Sequence, residues 1–159
     1  MEGHFVTLQY CLPPSTADKV GTSIPEYHLS SQGYLLDTNI VIDLVTSLIA
    51  LTGSFTCYFI SVITLVELSK NTNADANGLE VYVRDLLRAD AMIVDIEIAK
   101  IARDLRNATQ LKVPDAVIAA TALHNRLTLV TEDRQLLATP NLGAISYDKF
   151  MAQIGASHD

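Results

Sequence analysis

Four carboxylates are placed so that they could do chemistry together: Asp37, Glu67, Asp115 and Asp133. Asp37 closes the short apolar run Tyr34, Leu35, Leu36, and the residues after it, Ile40, Val41, Leu44 and Val45, recur at helical spacing. The acid therefore stands at the carboxyl end of a first strand, where open α/β sheets bind ligands. Asp115 follows Pro114 at a helix start, and Asp133 follows the strand-like run LTLVT. Glu67 lies about two turns into the helical run VITLVELSK, among apolar neighbours, where a carboxylate without a partner is costly to bury.

Four negative charges at one end of a sheet would repel and raise one another's pKa values. A hard divalent cation with oxygen ligands removes that conflict, and Mg²⁺ or Mn²⁺ suits carboxylates and water better than a softer metal. Such an ion polarises a phosphate and activates water for in-line attack. The competing reading is helix capping, since Asp37, Asp115 and Asp133 each stand in or just before a first helical turn. Glu67 has no such reading.

The elements that must position these acids alternate. Beyond the first strand and helix, FTCYFI (55–60) reads as a strand, and Ser61 then caps a helix carrying Glu67. Asn71 to Asn77 is a polar loop, and Leu79, Val83, Leu86 and Leu87 mark an amphipathic helix. Residues 91–94 (AMIV) form a third strand capped by Asp95. A helix with Ile98, Ile101, Ala102 and Leu105 on one face follows, with Lys100, Arg103 and Arg106 on the other. The next helix, AVIAATALHN, is apolar nearly all round and should be buried. LTLVT (127–131) is a strand, Glu132 to Leu137 a short helix, and AISY a last strand before a terminal helix over 148–154. Strands alternating with helices predict a parallel sheet covered on both faces, a three-layer α/β/α domain of about five strands.

The 159 residues suffice for one domain with a real core. Residues 1–33, punctuated by Pro13, Pro14, Gly21, Pro25 and Gly33, are expected to form a flexible or loosely docked extension ahead of a domain over 34–155, with a weak edge strand over 4–12. Charged residues make up 18% against a usual share of about 25%, which leaves apolar surface for another chain. The net charge of −7 argues against nucleic-acid binding, but from Tyr34 onward, outside the four acids, eleven acidic residues face ten basic ones. Cys11 and Cys57 show no zinc or disulfide pattern, no run of about 18 apolar residues exists, and the N-terminus lacks a basic leader, so a cytoplasmic protein with reduced cysteines is expected.

Taken in order, LLDTNIVIDL, SVITLVEL, PDAVIAATAL and LVTEDRQL resemble the blocks of the PIN-domain ribonucleases, most closely the VapC-type toxins of toxin–antitoxin pairs. The resemblance runs from Tyr34 to about Tyr147. It departs where Leu136 and Leu137 stand in place of an aromatic. It implies a Mg²⁺- or Mn²⁺-dependent endoribonuclease with Asp37, Glu67, Asp115 and Asp133 as metal-binding and catalytic residues and with Asn39 and Thr131 orienting them. It further implies an RNA substrate such as a tRNA or rRNA loop, an antitoxin partner and a homodimer. The alternatives are a PIN-domain RNA-processing nuclease that is not a toxin, or a non-catalytic PIN-like scaffold. A phosphatase with a DxD motif is disfavoured because Asn39 stands where its second acid belongs. Asp43 reads as a solvated face, His124 as a core or surface histidine, and Tyr58 and Tyr147 as packing. Lys70, Arg103, Arg106, Lys112 and Arg134 could meet phosphates, though each alone is an ordinary surface charge.

Overall fold

The structure, a computed structural model, describes residues 32–47, 49–51, 56–71, 83–85, 87 and 89–155. The extension expected over 1–33 lies outside the described residues except for Gln32 and Gly33, which open the first strand. The expected loop after Asn71 and most of the helix at 79–87 lie outside them too.

Five strands form one sheet: β1 (Gln32–Leu36), β2 (Thr56–Ser61), β3 (Ala89–Met92), β4 (Thr128–Val130) and β5 (Ala144–Ile145). All pair in parallel, in the order β3-β2-β1-β4-β5. The chain builds outward from β1 to β3, then returns to the other side of β1 for β4 and β5. The order therefore reverses beside β1, and the ends of β1 and β4 border the crevice that such a reversal opens. Leu36 pairs with Ile60 on one side and Val130 on the other, which sets Asp37, Ser61 and Thr131 side by side at the strand ends.

Among the described residues, the helices bounded on both sides are α1 (Thr38–Thr46), α2 (Val62–Asn71), α3 (Ile96–Ala108), α4 (Val113–Asn125), α5 (Arg134–Leu137) and α6 (Tyr147–Gly155), and they cover the sheet. The period-two alternation of a strand divides the core. Tyr34, Leu36, Tyr58, Ile60 and Val130 face a cluster completed by Ile40, Val41 and Leu44 of α1, Leu68 of α2 and Phe150 of α6. Leu35, Phe59 and Leu129 face the opposite cluster, with Ile98 and Ala102 of α3 and Ala116, Ile118, Ala119 and Ala120 of α4. The result is the expected three-layer arrangement. Tyr58 and Tyr147 pack around Phe150, as expected of them. Among the described residues no helix is long and apolar enough to cross a membrane.

Two details differ from the sequence-based expectation. The third strand lies over Ala89–Met92 rather than 91–94, because pairing with Tyr58 through Ser61 sets its register, and Ile93, for all its hydrophobicity, is left 83% exposed. Cys57 on β2 is disulfide-bonded, contrary to the expectation of reduced cysteines, and its partner lies outside the described residues. At the other end of α4, Arg126 takes left-handed backbone angles, φ 55 and ψ 40, which cost a non-glycine residue about 1 kcal/mol. Arg126→Gly should raise the stability to urea by about that amount. An unchanged midpoint would show that the side chain of Arg126 offsets its own backbone strain.

Candidate metal centre

Asp37 is the hub of the site. Its amide donates to the carbonyl of Val130 at 3.0 Å, so the backbone just past β1 is tied to β4. Its side chain, in a residue only 5% exposed, accepts from the Thr38 amide on Oδ1 at 2.7 Å and from the Thr131 hydroxyl on Oδ2 at 2.7 Å. The Thr131 hydroxyl in turn accepts from the Asp133 amide at 3.0 Å. One buried hydroxyl thus fixes the Asp37 carboxylate and the loop that carries Asp133.

Asp133 is a helix cap, its Oδ1 accepting from the amides of Gln135 at 2.7 Å and Leu136 at 3.1 Å. Capping engages one oxygen and leaves Oδ2 for another partner, so capping and ligation are compatible here. Its neighbour Glu132 is engaged elsewhere, accepting from the Tyr147 amide at the start of α6 at 2.7 Å.

Glu67 reaches the same end of the sheet from α2. Its Oε2 accepts from the Thr38 hydroxyl at 2.6 Å, and Thr38 also lies 3.3 Å from the hydroxyl of Thr64, one turn earlier on α2. Thr38 has one hydroxyl proton, and the shorter contact to a carboxylate claims it. The contact with Thr64 is then served by the Thr64 proton. Asp115, in the first turn of α4, is half-buried and accepts a backbone hydrogen bond from Lys112.

The electrostatics show how these groups face one another. Burial pushes the Asp37 carboxyl above the usual carboxylate range. The hydrogen bonds from Thr131 and Thr38 oppose that rise, and the charges of Asp115 and Asp133 add to it. Asp115 is raised in the same way, first by burial and then by Asp133 and Glu67, with Lys112 opposing. Asp37, Asp115 and Asp133 form no ion pair among the described residues. Charge–charge interactions thus link Asp37, Asp115 and Asp133 with one another, and Asp115 with Glu67, at this end of the sheet.

The residues fit a hard divalent cation. The donor set is all oxygen, the carboxylates repel one another, and two threonine hydroxyls hold two of them in place. Among the described residues no three acidic, histidine or cysteine side chains gather tightly enough to enclose an ion by themselves. Mg²⁺ needs no such cage, since it keeps several waters and binds through one or two carboxylates.

Thr131 stands at the heart of the network, whereas Asn39, its expected companion, is exposed on α1 and makes no hydrogen bond among the described residues. The residue that sequence reasoning passed over is Thr38. A hydroxyl directly after the strand-end acid, facing a helix with a lone buried-face glutamate, was the signal available. Asp43 is exposed and His124 half-buried, both away from the hydrogen-bonded network.

Comparison with known proteins agrees with the fold. Residues 34–142 match the PIN domain family. A toxin–antitoxin complex from Klebsiella pneumoniae contains a chain 28% identical to this one, with a TM-score of 0.54 over 70% of this chain and 95% of that one. VapBC2 from Rickettsia felis, bound to a DNA fragment from its promoter, has a chain of the same fold at 20% identity, with a TM-score of 0.58 over 72% and 98%. DNA-bound VapBC from Salmonella typhimurium has another at 24% identity, with a TM-score of 0.58 over 72% and 98%. No curated protein sequence matches the chain. The family match spans well over half of the chain and includes all four acids and both threonines of the crevice, and the chain accordingly belongs to the PIN-domain family.

Proposed function

We propose that this protein is a divalent-metal-dependent endoribonuclease and the toxin of a toxin–antitoxin pair. The observation that carries the reading is the crevice itself: four carboxylates at the β1/β4 reversal, two of them fixed by the hydroxyls of Thr38 and Thr131. Asp37, Asp115 and Asp133 hold Mg²⁺ or Mn²⁺ directly or through water, with Glu67 beside them. Bound there, the ion supplies Lewis acidity toward a phosphate and lowers the pKa of water.

The chain's own residues do the rest. Thr131 keeps the Asp37 carboxylate aimed by donating to one of its oxygens, and Thr38 keeps Glu67 turned toward the crevice, where its carboxylate would hold or deprotonate the attacking water. The backbone tie between Asp37 and Val130 fixes the distance between the two strand ends. The substrate is RNA cut in an exposed single-stranded part, such as a tRNA or rRNA loop, where the backbone can be splayed into a cleft. The Klebsiella neighbour is one half of a toxin–antitoxin complex, which supports an antitoxin as partner. Ile93, just past β3, and Ile96, at the start of α3, are 83% and 68% exposed and supply apolar surface for that antitoxin or for a second copy in a homodimer. The compartment is the cytoplasm, where such RNA is found.

Sequencing RNA 5′ ends from cells briefly expressing this chain tests the reading. One dominant cut site in one RNA class is expected. An unchanged profile, with the protein folded and abundant, would contradict it.

The Thr38–Glu67 hydrogen bond gives a sharper prediction. Thr38→Val keeps the shape but removes the hydroxyl, and cleavage should fall by roughly 10- to 100-fold, as for other groups that orient metal ligands. Thr38→Ser should retain most of the activity. Equal losses in the two variants would show that packing, not the hydroxyl, matters at this position.

A further inference from the structure

Of the chain's eleven basic residues, four fall within residues 100–112, Lys100, Arg103, Arg106 and Lys112, with Asp104 as the acid among them; Lys100 pairs with Glu97 at 2.7 Å, which leaves Arg103, Arg106 and Lys112 for the argument. The structure gives this cluster a shape. Helices α3 and α4 pack as a hairpin, and between them lies a groove of about 410 Å³ with Arg103, Arg106 and Asn107 on its polar side and Ala102, Val113 and Val117 as its apolar lining. One end of the groove is at the first turn of α4, where Val113 stands two residues before Asp115. Lys112, beside that end, is close enough for its charge to favour the ionised form of Asp115.

The geometry points to this groove as a track for the sugar-phosphate backbone of the RNA strand running out of the cleavage site. The inference rests on the nuclease reading above for the identity of the strand. Charge complementarity selects the occupant. An acidic crevice in a protein of net charge −7 repels a polyanion, so phosphates need a cationic surface immediately beside the site to be held there. Arg106 is exposed and has no ion-pair or hydrogen-bond partner among the described residues, so its guanidinium is available as a forked donor to a phosphate. Arg103 pairs with its sequence neighbour Asp104 at 2.8 Å, but both side chains are about two-thirds exposed, and such a contact yields readily to a phosphate. Asn107 adds a neutral donor, and Val113, more than half exposed, offers an apolar surface to a ribose or base edge.

The test uses the full chain and a fluorescein-labelled single-stranded 20-nucleotide RNA. Binding is read by anisotropy in an Asp37→Asn background, which prevents cleavage, and cleavage is read separately in the otherwise unmodified chain. The double variant Arg103→Ala, Arg106→Ala should weaken binding about 10-fold or more. It should also flatten the salt dependence of log Kd by about 1.4, the contribution of two phosphate contacts to a single strand. In cleavage, KM should rise with kcat within about twofold, which separates a docking role from damage to the crevice. Arg126→Gln, at the far end of α4, should change none of these. Val113→Asp, which blocks the groove with a charge instead of removing one, should reproduce the loss of affinity.

Cleavage together with an unchanged Kd, salt slope and KM in the double variant would overturn the track and leave the nuclease reading standing. Absence of cleavage by the unmodified chain would overturn the nuclease reading, and the anisotropy measurement would still decide the track. Equal effects of Arg126→Gln and the double variant would also overturn it, because the contribution would then be bulk charge.

Discussion

Asp37→Asn should lower metal-dependent cleavage by at least about 10³-fold, equivalent to roughly 4 kcal/mol of transition-state stabilisation, while the chain stays folded. The amide keeps the size of the side chain, and its oxygen can still accept from the Thr38 amide or the Thr131 hydroxyl. What is lost is the charge that faces Asp115 and Asp133. The same position sets a pH dependence. The Asp37 and Asp115 carboxyls are both raised in the fold, chiefly by burial, so between the ordinary carboxylate value and their raised values the folded chain binds more protons than the unfolded one. For the metal-free protein, the stability contributed by these two groups is therefore present at acid pH and lost as pH rises through their raised values. Cleavage follows the opposite course. It falls as pH drops through those values, because protons then compete with the cation for the same oxygens. Circular dichroism of Asp37→Asn should overlay that of the unmodified chain. Cleavage at the unmodified rate by the folded variant would remove Asp37 from the chemistry.

Asp115→Asn separates a metal site from a helix cap by the sign of its effect on stability. Like charges held close in the crevice repel, and removing one relieves that repulsion, so in chelator at neutral pH the variant should melt at or above the unmodified chain. Saturating Mg²⁺ at about 100 times its Kd should stabilise the unmodified chain by about 2.7 kcal/mol, or roughly 5 to 10 °C for a chain of this size. The variant should gain much less. If Asp115 were only a first-turn acid favouring the helix dipole, its loss would instead cost about 0.3 to 1 kcal/mol and leave the response to Mg²⁺ intact. The Asp115 carboxyl is raised first by burial, and the charges of Asp133 and Glu67 add to that rise.

The architecture was largely legible before the structure because it depends on pattern. The apolar runs of β1, β2 and β4 and the nearly all-apolar α4 announce a sheet buried on both faces, and a strand-end acid then marks the crevice. Legibility faded where the backbone decides. β3 is an edge strand whose span is set by pairing with β2, so the apolar residues Ile93 and Val94 drew the expectation two residues too far. β5 is only Ala144 and Ile145, too short for composition to bound. Within the site, Asp37 and Asp133 could be named from their places after strands, Asp115 from its helix start and Glu67 from its apolar helix, but not which oxygen does what. That Asp133 caps α5 with Oδ1, and that Glu132 turns away to α6, are matters of side-chain orientation. Thr38 escaped notice for the same reason. Its residue type is ordinary at a helix start, and only the packing of α1 against α2 shows that its hydroxyl meets Glu67 and not solvent. Asn39, one residue further, points outward for the same helical reason.

The central claim is that the crevice carboxylates form one divalent-metal centre, and it is tested most directly by calorimetric titration of the chelator-dialysed chain with Mn²⁺, alongside Asp37→Asn. The account predicts saturable binding of one or two ions per chain, with affinity falling as pH is lowered through the raised carboxyl values, and at least a 100-fold weakening in Asp37→Asn, about 2.7 kcal/mol. Binding of equal strength in both proteins, or none in the folded unmodified chain, would contradict it.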